Sequence, residues 1–100
     1  MTAPLRIGIL GVGRRGTALA HAAARAPGAM IVAVCDVDPV RTEAASQAWD
    51  ATSYSIWQSM LIFEQLDAIF IATPAALHAE QVLTALDQGM HVYIEPPPAI

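Results

Sequence analysis

The chain has no lysine. Its five basic residues are all arginines, Arg6, Arg14, Arg15, Arg25 and Arg41, and it holds a single cysteine, Cys35. A lone cysteine excludes an internal disulfide framework and a paired-cysteine metal site. Charged residues are also scarce, at 14% of 100 against about 25% in an average soluble domain, while hydrophobic residues reach 55%. That much apolar material excludes a disordered chain, and the length suits one small domain with a core of its own. Long apolar runs are missing: the longest, Ala29 to Cys35, is far too short to span a bilayer. A secretory layout is missing too, because Gly8, Gly11 and Gly13 interrupt the N-terminal apolar stretch and two arginines follow it. The expectation is a cytoplasmic protein with no membrane partner.

The net charge of −4 is unevenly spread. Residues 1–41 carry all five arginines against Asp36 and Asp38, whereas residues 42–100 carry seven acids and no arginine. An acidic chain is a poor general binder of nucleic acid, so no such partner is expected. A local positive field near the N-terminus would suit a small anion, unless the clustering is chance.

Strand and helix signals alternate along the chain. Leu5–Leu10 reads as a strand closed by glycine, and Arg14–Ala26 as an alanine-rich helix stopped by Pro27-Gly28. Met30–Cys35 is a continuous apolar run, the mark of a strand covered on both faces. Asp38-Pro39 supplies a cap and a first-turn proline for a helix to about Trp49. Ala51–Tyr54 reads as a short strand, and Ser55 as the cap of a helix with Trp57, Met60 and Leu61 on one face. Asp67–Ala72 is a third buried strand, Leu77–Gln88 an amphipathic helix stopped by Gly89, and His91–Ile94 a last strand. This alternation predicts an α/β fold, a doubly wound parallel sheet with helices on both faces and strand order 3-2-1-4-5. A ligand is then expected over the carboxyl ends of the strands, beside Gly11–Gly16 and Ala72–Pro74.

One motif carries chemistry. Gly11-Val12-Gly13-Arg14-Arg15-Gly16 is a GxGxxG that follows a strand and opens a helix, and Asp36 ends the next strand 20 residues beyond Gly16. Gly11 permits the tight turn, Gly13 leaves room for a pyrophosphate, and Gly16 allows close packing of helix on strand. The helix N-terminus offers N–H groups to phosphates. The Asp36 carboxylate can accept from a ribose diol and would repel a 2′-phosphate, so NAD is favoured over NADP. One of Arg14 and Arg15 can reach the pyrophosphate, or each is a solvated first-turn residue. Cys35 reads as inert core and His21 as structural. His78, opening a helix beside the site, either serves that site or packs and caps locally. Trp49 and Trp57 fit helix core faces better than a stacking platform. No metal-ligand spacing and no catalytic group can be named.

These segments resemble one family. LRIGILGVGRRG at Leu5–Gly16, VCDVD at Val34–Asp38, DAIFIATP at Asp67–Pro74 with His78 four residues on, and GMHVYIEPP at Gly89–Pro97 are similar, in order, to the N-terminal half of the Gfo/Idh/MocA oxidoreductases. The resemblance implies an NAD(P)-binding Rossmann domain from enzymes that move a hydride to or from a sugar or cyclitol. It implies that Gly11, Gly13 and Gly16 hold the pyrophosphate and Asp36 the adenosine ribose. Thr73, Pro74 and His78 would line the cofactor cleft, with Glu95 near the nicotinamide end. The family's Glu-Lys-Pro is Glu95-Pro96-Pro97 here, so the lysine that the family places beside the reacting hydroxyl is replaced by a residue with no ammonium group and no N–H. The family's second domain, which supplies the substrate pocket, is expected to be absent from a single domain spanning residues 1–100.

Three other readings compete with a cofactor-binding oxidoreductase domain. One is a non-enzymatic dinucleotide-binding interaction module, one a truncated product, and one an S-adenosylmethionine-dependent methyltransferase, against which the Thr73-Pro74 and Glu95–Pro97 segments weigh. The shortage of charge predicts an exposed apolar face and hence a homodimer, or a face left by a missing substrate domain. The 100-residue chain should be catalytically silent. It lacks acid–base help worth about 10²–10⁴-fold and substrate positioning worth more. Incubated with NAD and a panel of polyols, it should yield no NADH absorbance, and Pro96→Lys alone should not restore any. Turnover that scales with protein and disappears in Gly13→Val would contradict this.

Overall fold

A computed structural model describes residues 3–94. Five strands and four α-helices alternate in it. They are β1 Leu5–Leu10, α1 Arg14–Ala24, β2 Ala29–Cys35, α2 Pro39–Trp49, β3 Thr52–Tyr54, α3 Trp57–Phe63, β4 Ala68–Ile71, α4 His78–Asp87 and β5 His91–Ile94. A single turn of 3₁₀ helix, Ala75–Leu77, leads into α4. All strands are parallel and lie in the order β3-β2-β1-β4-β5, as the sequence predicts. The direction of winding reverses between β1 and β4, which opens a crevice above their carboxyl ends.

The core has two layers, one on each face of the sheet. Ile7 and Ile9 of β1 point to the α1/α2 side, where they meet Ala20 and Ala23 of α1 and Ala45 of α2. Leu10 points the other way, toward Met60 and Leu61 of α3 and Ala85 of α4. That is the two-residue period of a strand. In β2 the period breaks: the β1–β2 register runs Ile7 to Ile31, then Gly8 to Ala33, so Val32 is an extra residue. The bulge reverses which face the rest of the strand presents. Ile31 and Val34 therefore share one layer while Ala33 and Cys35 occupy the other.

Several boundaries move for physical reasons. α1 ends at Ala24 rather than Ala26, because Pro27 keeps residue 26 out of helical conformation. Ser55 does not cap α3: the capping position is Ile56, with no side-chain cap bond, and a serine one residue earlier cannot reach the first-turn N–H groups. β4 is shorter than the apolar run, since Asp67 leaves the strand and accepts the Arg6 N–H at 2.8 Å through its carboxylate. Ala75–Leu77 takes up the 3₁₀ turn, so α4 proper starts at His78. Asp38 does cap α2, accepting from the Val40 N–H at 2.9 Å with Pro39 in the first turn. No helix among the described residues is long and apolar enough to cross a membrane. Large apolar side chains do reach the surface, among them Ile62, Phe63, Leu83 and Leu86.

The tightest packing lies where α1 leaves the sheet. A Cβ on Gly16 would overlap the Gly11 carbonyl oxygen, and one on Gly11 would lie 2.7 Å from the Ala72 carbonyl oxygen. Gly11 also sits at φ +87°, a conformation that disfavours a side chain. Backbone cannot yield as a flexible side chain does. Gly16→Ala should therefore destabilise by at least about 3 kcal/mol, lowering Tm by more than about 10 °C in a domain of this size. Thermal unfolding followed by circular dichroism checks this, and a Tm within two degrees of the parent would contradict it.

Candidate cofactor-binding site

The crevice over β1, β2 and β4 holds a cleft of about 450 Å³, the cavity where the topology places a ligand. Gly11 and Gly13 form its floor on the β1 side, Asp36 and Val37 one end, and Ala72, Thr73 and Pro74 the other. The floor is held by main-chain bonds. The Gly11 N–H donates to the Cys35 carbonyl at 2.8 Å, and the Ala72 N–H to the Leu10 carbonyl at 2.8 Å.

Asp36 has a structural task that its position in the motif does not reveal. Its Oδ2 accepts the Val12 N–H at 3.0 Å, and its Oδ1 accepts the Asp38 N–H at 3.0 Å. One carboxylate thus ties the glycine loop to the end of β2 and to the start of α2. Each oxygen keeps a further lone pair for a ligand hydroxyl. Val12 is itself buried under the loop, and its carbonyl accepts from the Thr17 hydroxyl at 3.0 Å.

Gly13 occupies the capping position of α1 with no side-chain cap bond, and the first turn holds no acidic residue. Among the described residues no side chain caps the leading N–H groups of α1, so they and the partial positive charge of the helix start stay available to an anion. α2, in contrast, is closed by Asp38.

The other expected residues are placed as follows. Arg14 and Arg15 are exposed and do not line the cleft, and Gly16 is buried beneath the loop. Arg41, which sequence reasoning passed over, lines the cleft instead, and a Cβ on Gly13 would lie 3.4 Å from its NH1. Arg41 pairs loosely with Asp38, Nε to Oδ2 at 3.7 Å. Its signal was its place in the first turn of the helix after β2, close to the carboxyl end of that strand. His78 is half-buried and does not line the cleft; its Nε2 lies 2.6 Å from the Thr73 carbonyl oxygen. Trp57 packs against the α3/α4 layer, as expected, and also lines the cleft. Trp49 packs against the other layer and meets His21 edge-on at 5.3 Å. Glu95, Pro96 and Pro97 lie outside the described residues. Among the described residues, no group of side chains could hold a metal ion.

The model of the oxidoreductase family with an NAD-binding Rossmann fold, Gfo/Idh/MocA, matches residues 5–100. The chain belongs to the Gfo/Idh/MocA family. A glycosyl hydrolase family 109 protein of Porphyromonas gingivalis is 34% identical over 106 residues, covering 96% of this chain and 23% of that protein. Among solved structures, myo-inositol 2-dehydrogenase from Lactobacillus plantarum is similar with a TM-score of 0.88 and 35% identity, over 94% of this chain and 28% of that one. The WlbA dehydrogenase from Bordetella pertussis, in complex with NADH and UDP-GlcNAcA, gives 0.89 and 33%, over 96% and 29%. The chain thus spans about a quarter of the length of the Gfo/Idh/MocA relatives it matches.

Cys35 lines the cleft, but its thiol is not a nucleophile at neutral pH. Burial, and then the Asp36 carboxylate, push its pKa up to about 11. At pH 8 the thiol is overwhelmingly protonated. Iodoacetamide should label the folded chain at least about tenfold more slowly than the chain in urea, with the folded rate still rising between pH 9 and 11. Equal rates at pH 8 would contradict this. The same shift works on stability: the raised pKa favours the folded form below the thiol's ordinary range, and that contribution is lost as pH rises toward 11.

Proposed function

We propose that the chain is the NAD(H)-binding part of an oxidoreductase whose full form transfers a hydride to or from a sugar- or cyclitol-like substrate. The observation that carries this is the Asp36 carboxylate bonded to the glycine loop beside the uncapped start of α1. The residues fit a dinucleotide on their own chemistry. Gly13 adds no side chain to the floor, the α1 N–H groups suit a pyrophosphate, and Arg41 adds a cation beside them. When bound, the nicotinamide would supply the hydride acceptor. The chain's own residues would bind and orient it. Relatives named as dehydrogenases and as glycosyl hydrolases both match this part of their chains.

The reading favours NAD over NADP. At the ribose end Asp36 and Asp38 stand against Arg41 alone, which leaves a net negative charge where a 2′-phosphate would lie. Asp36 cannot turn away from such a phosphate without releasing two main-chain N–H groups.

Titration calorimetry tests this. NADH should bind more tightly than NADPH. Gly13→Val should abolish binding of both while leaving Tm near that of the parent, since that Cβ would meet only the flexible Arg41 side chain, at ordinary contact distance. Asp36→Ala should weaken NADH by about tenfold, narrow the preference over NADPH and lower Tm, because it removes a charged acceptor from a ligand and from two N–H groups. Unchanged NADH affinity in folded Gly13→Val would overturn the assignment.

A further inference from the structure

Gln81 is the least expected side chain at the cleft. It stands on α4 at 1% exposure and is, with Thr42, one of the two buried polar residues among the described residues. Its position follows from helical spacing, since Leu77, Gln81 and Ala85 recur every four residues and form one stripe. Leu77 and Gln81 both border the cleft, and Ala85 is fully buried. An apolar side chain would satisfy such a stripe.

The amide is used on one side only. Gln81 Oε1 accepts from the Thr73 hydroxyl at 2.5 Å. Gln81 Nε2 is, among the described residues, the one buried side-chain polar atom without a hydrogen-bond partner. An orphaned buried donor destabilises a fold by about 1–3 kcal/mol, so this amide is not there for stability. What it does is fix a direction. A threonine hydroxyl has one proton and two lone pairs. With the proton committed inward to Gln81, Thr73 turns only lone pairs toward the cleft it lines. The main chain of the same residue is held separately by the His78 ring on its carbonyl.

We propose that Gln81 is a positioning residue that makes Thr73 a hydrogen-bond acceptor for the end of the ligand remote from Asp36. This rests on the dinucleotide reading. Asp36 follows β2 and Thr73 follows β4, on opposite sides of β1 and its glycine loop. With the adenosine ribose at Asp36 and the pyrophosphate at the loop, the nicotinamide riboside half faces Thr73. That half carries ribose hydroxyl and carboxamide N–H donors, which an acceptor suits. ADP-ribose lacks the nicotinamide, so it separates that contact from the rest of the site.

The test is calorimetric titration of the full chain and its variants with NADH and with ADP-ribose, alongside thermal unfolding. Gln81→Met keeps the length of the side chain and removes both polar atoms. It should weaken NADH by about five- to tenfold, change ADP-ribose affinity by less than about twofold, and leave Tm unchanged or raised. Thr73→Val should reproduce the selective loss and Thr73→Ser should avoid it. The double variant with Gln81→Met and Thr73→Val should lose no more than Thr73→Val alone, because both remove one contact. Equal losses for the two ligands, additive losses in the double variant, or an unchanged NADH affinity in Gln81→Met would each overturn the proposal while leaving the dinucleotide reading in place. A parent chain that binds neither ligand would overturn both.

Discussion

Everything at the carboxyl end of this sheet depends on a gap with no room for a carbon atom. Gly16 lies so close to the Gly11 carbonyl that a methyl group there would overlap it, and Gly11 in turn lies against the Ala72 carbonyl. That approach brings the first turn of α1 down onto β1 and β4 together. It sets the height of the cleft floor beneath the start of α1. A wider gap would keep the strand order but would lift the start of α1 away from that floor.

The second constraint is electrostatic. The Asp36 carboxylate joins the glycine loop, the end of β2 and the entrance to α2 through two main-chain N–H groups. It is therefore both a candidate ligand-binding group and a structural fastener. Its neighbours follow from it. Cys35 is driven toward its neutral form partly by that charge. Arg41 is drawn toward the same corner by Asp38. The cation at the cleft thus comes from the helix after β2 rather than from the arginine pair inside the glycine motif.

The sheet supports this arrangement through two thin apolar layers. The α1/α2 layer relies heavily on alanine, which lets helices lie close to strands, and the α3/α4 layer uses larger side chains such as Met60 and Leu61. The bulge at Val32 decides which layer each later residue of β2 enters. Without the extra residue, Ala33 and Cys35 would share a face with Ile31 and Val34 would turn to the other layer, exchanging the two sets beyond that point.

Much of this was legible in the residues alone. Runs such as Met30–Cys35 and Asp67–Ala72 read as strands with cover on both faces, and glycine and proline punctuation separates them, so strand order and crevice followed from handedness rules. The GxGxxG spacing and Asp36 marked the site because turn, close approach and charge are local properties of the chain. Directions in space were not local. That Asp36 ties two N–H groups, that Arg41 rather than Arg14 or Arg15 borders the cleft, that β2 reverses its faces at Val32, and that Gln81 turns the Thr73 hydroxyl inward each depend on residues brought together from separate elements. Periodicity determines which face of a helix is apolar, but only packing decides what a polar atom on that face meets.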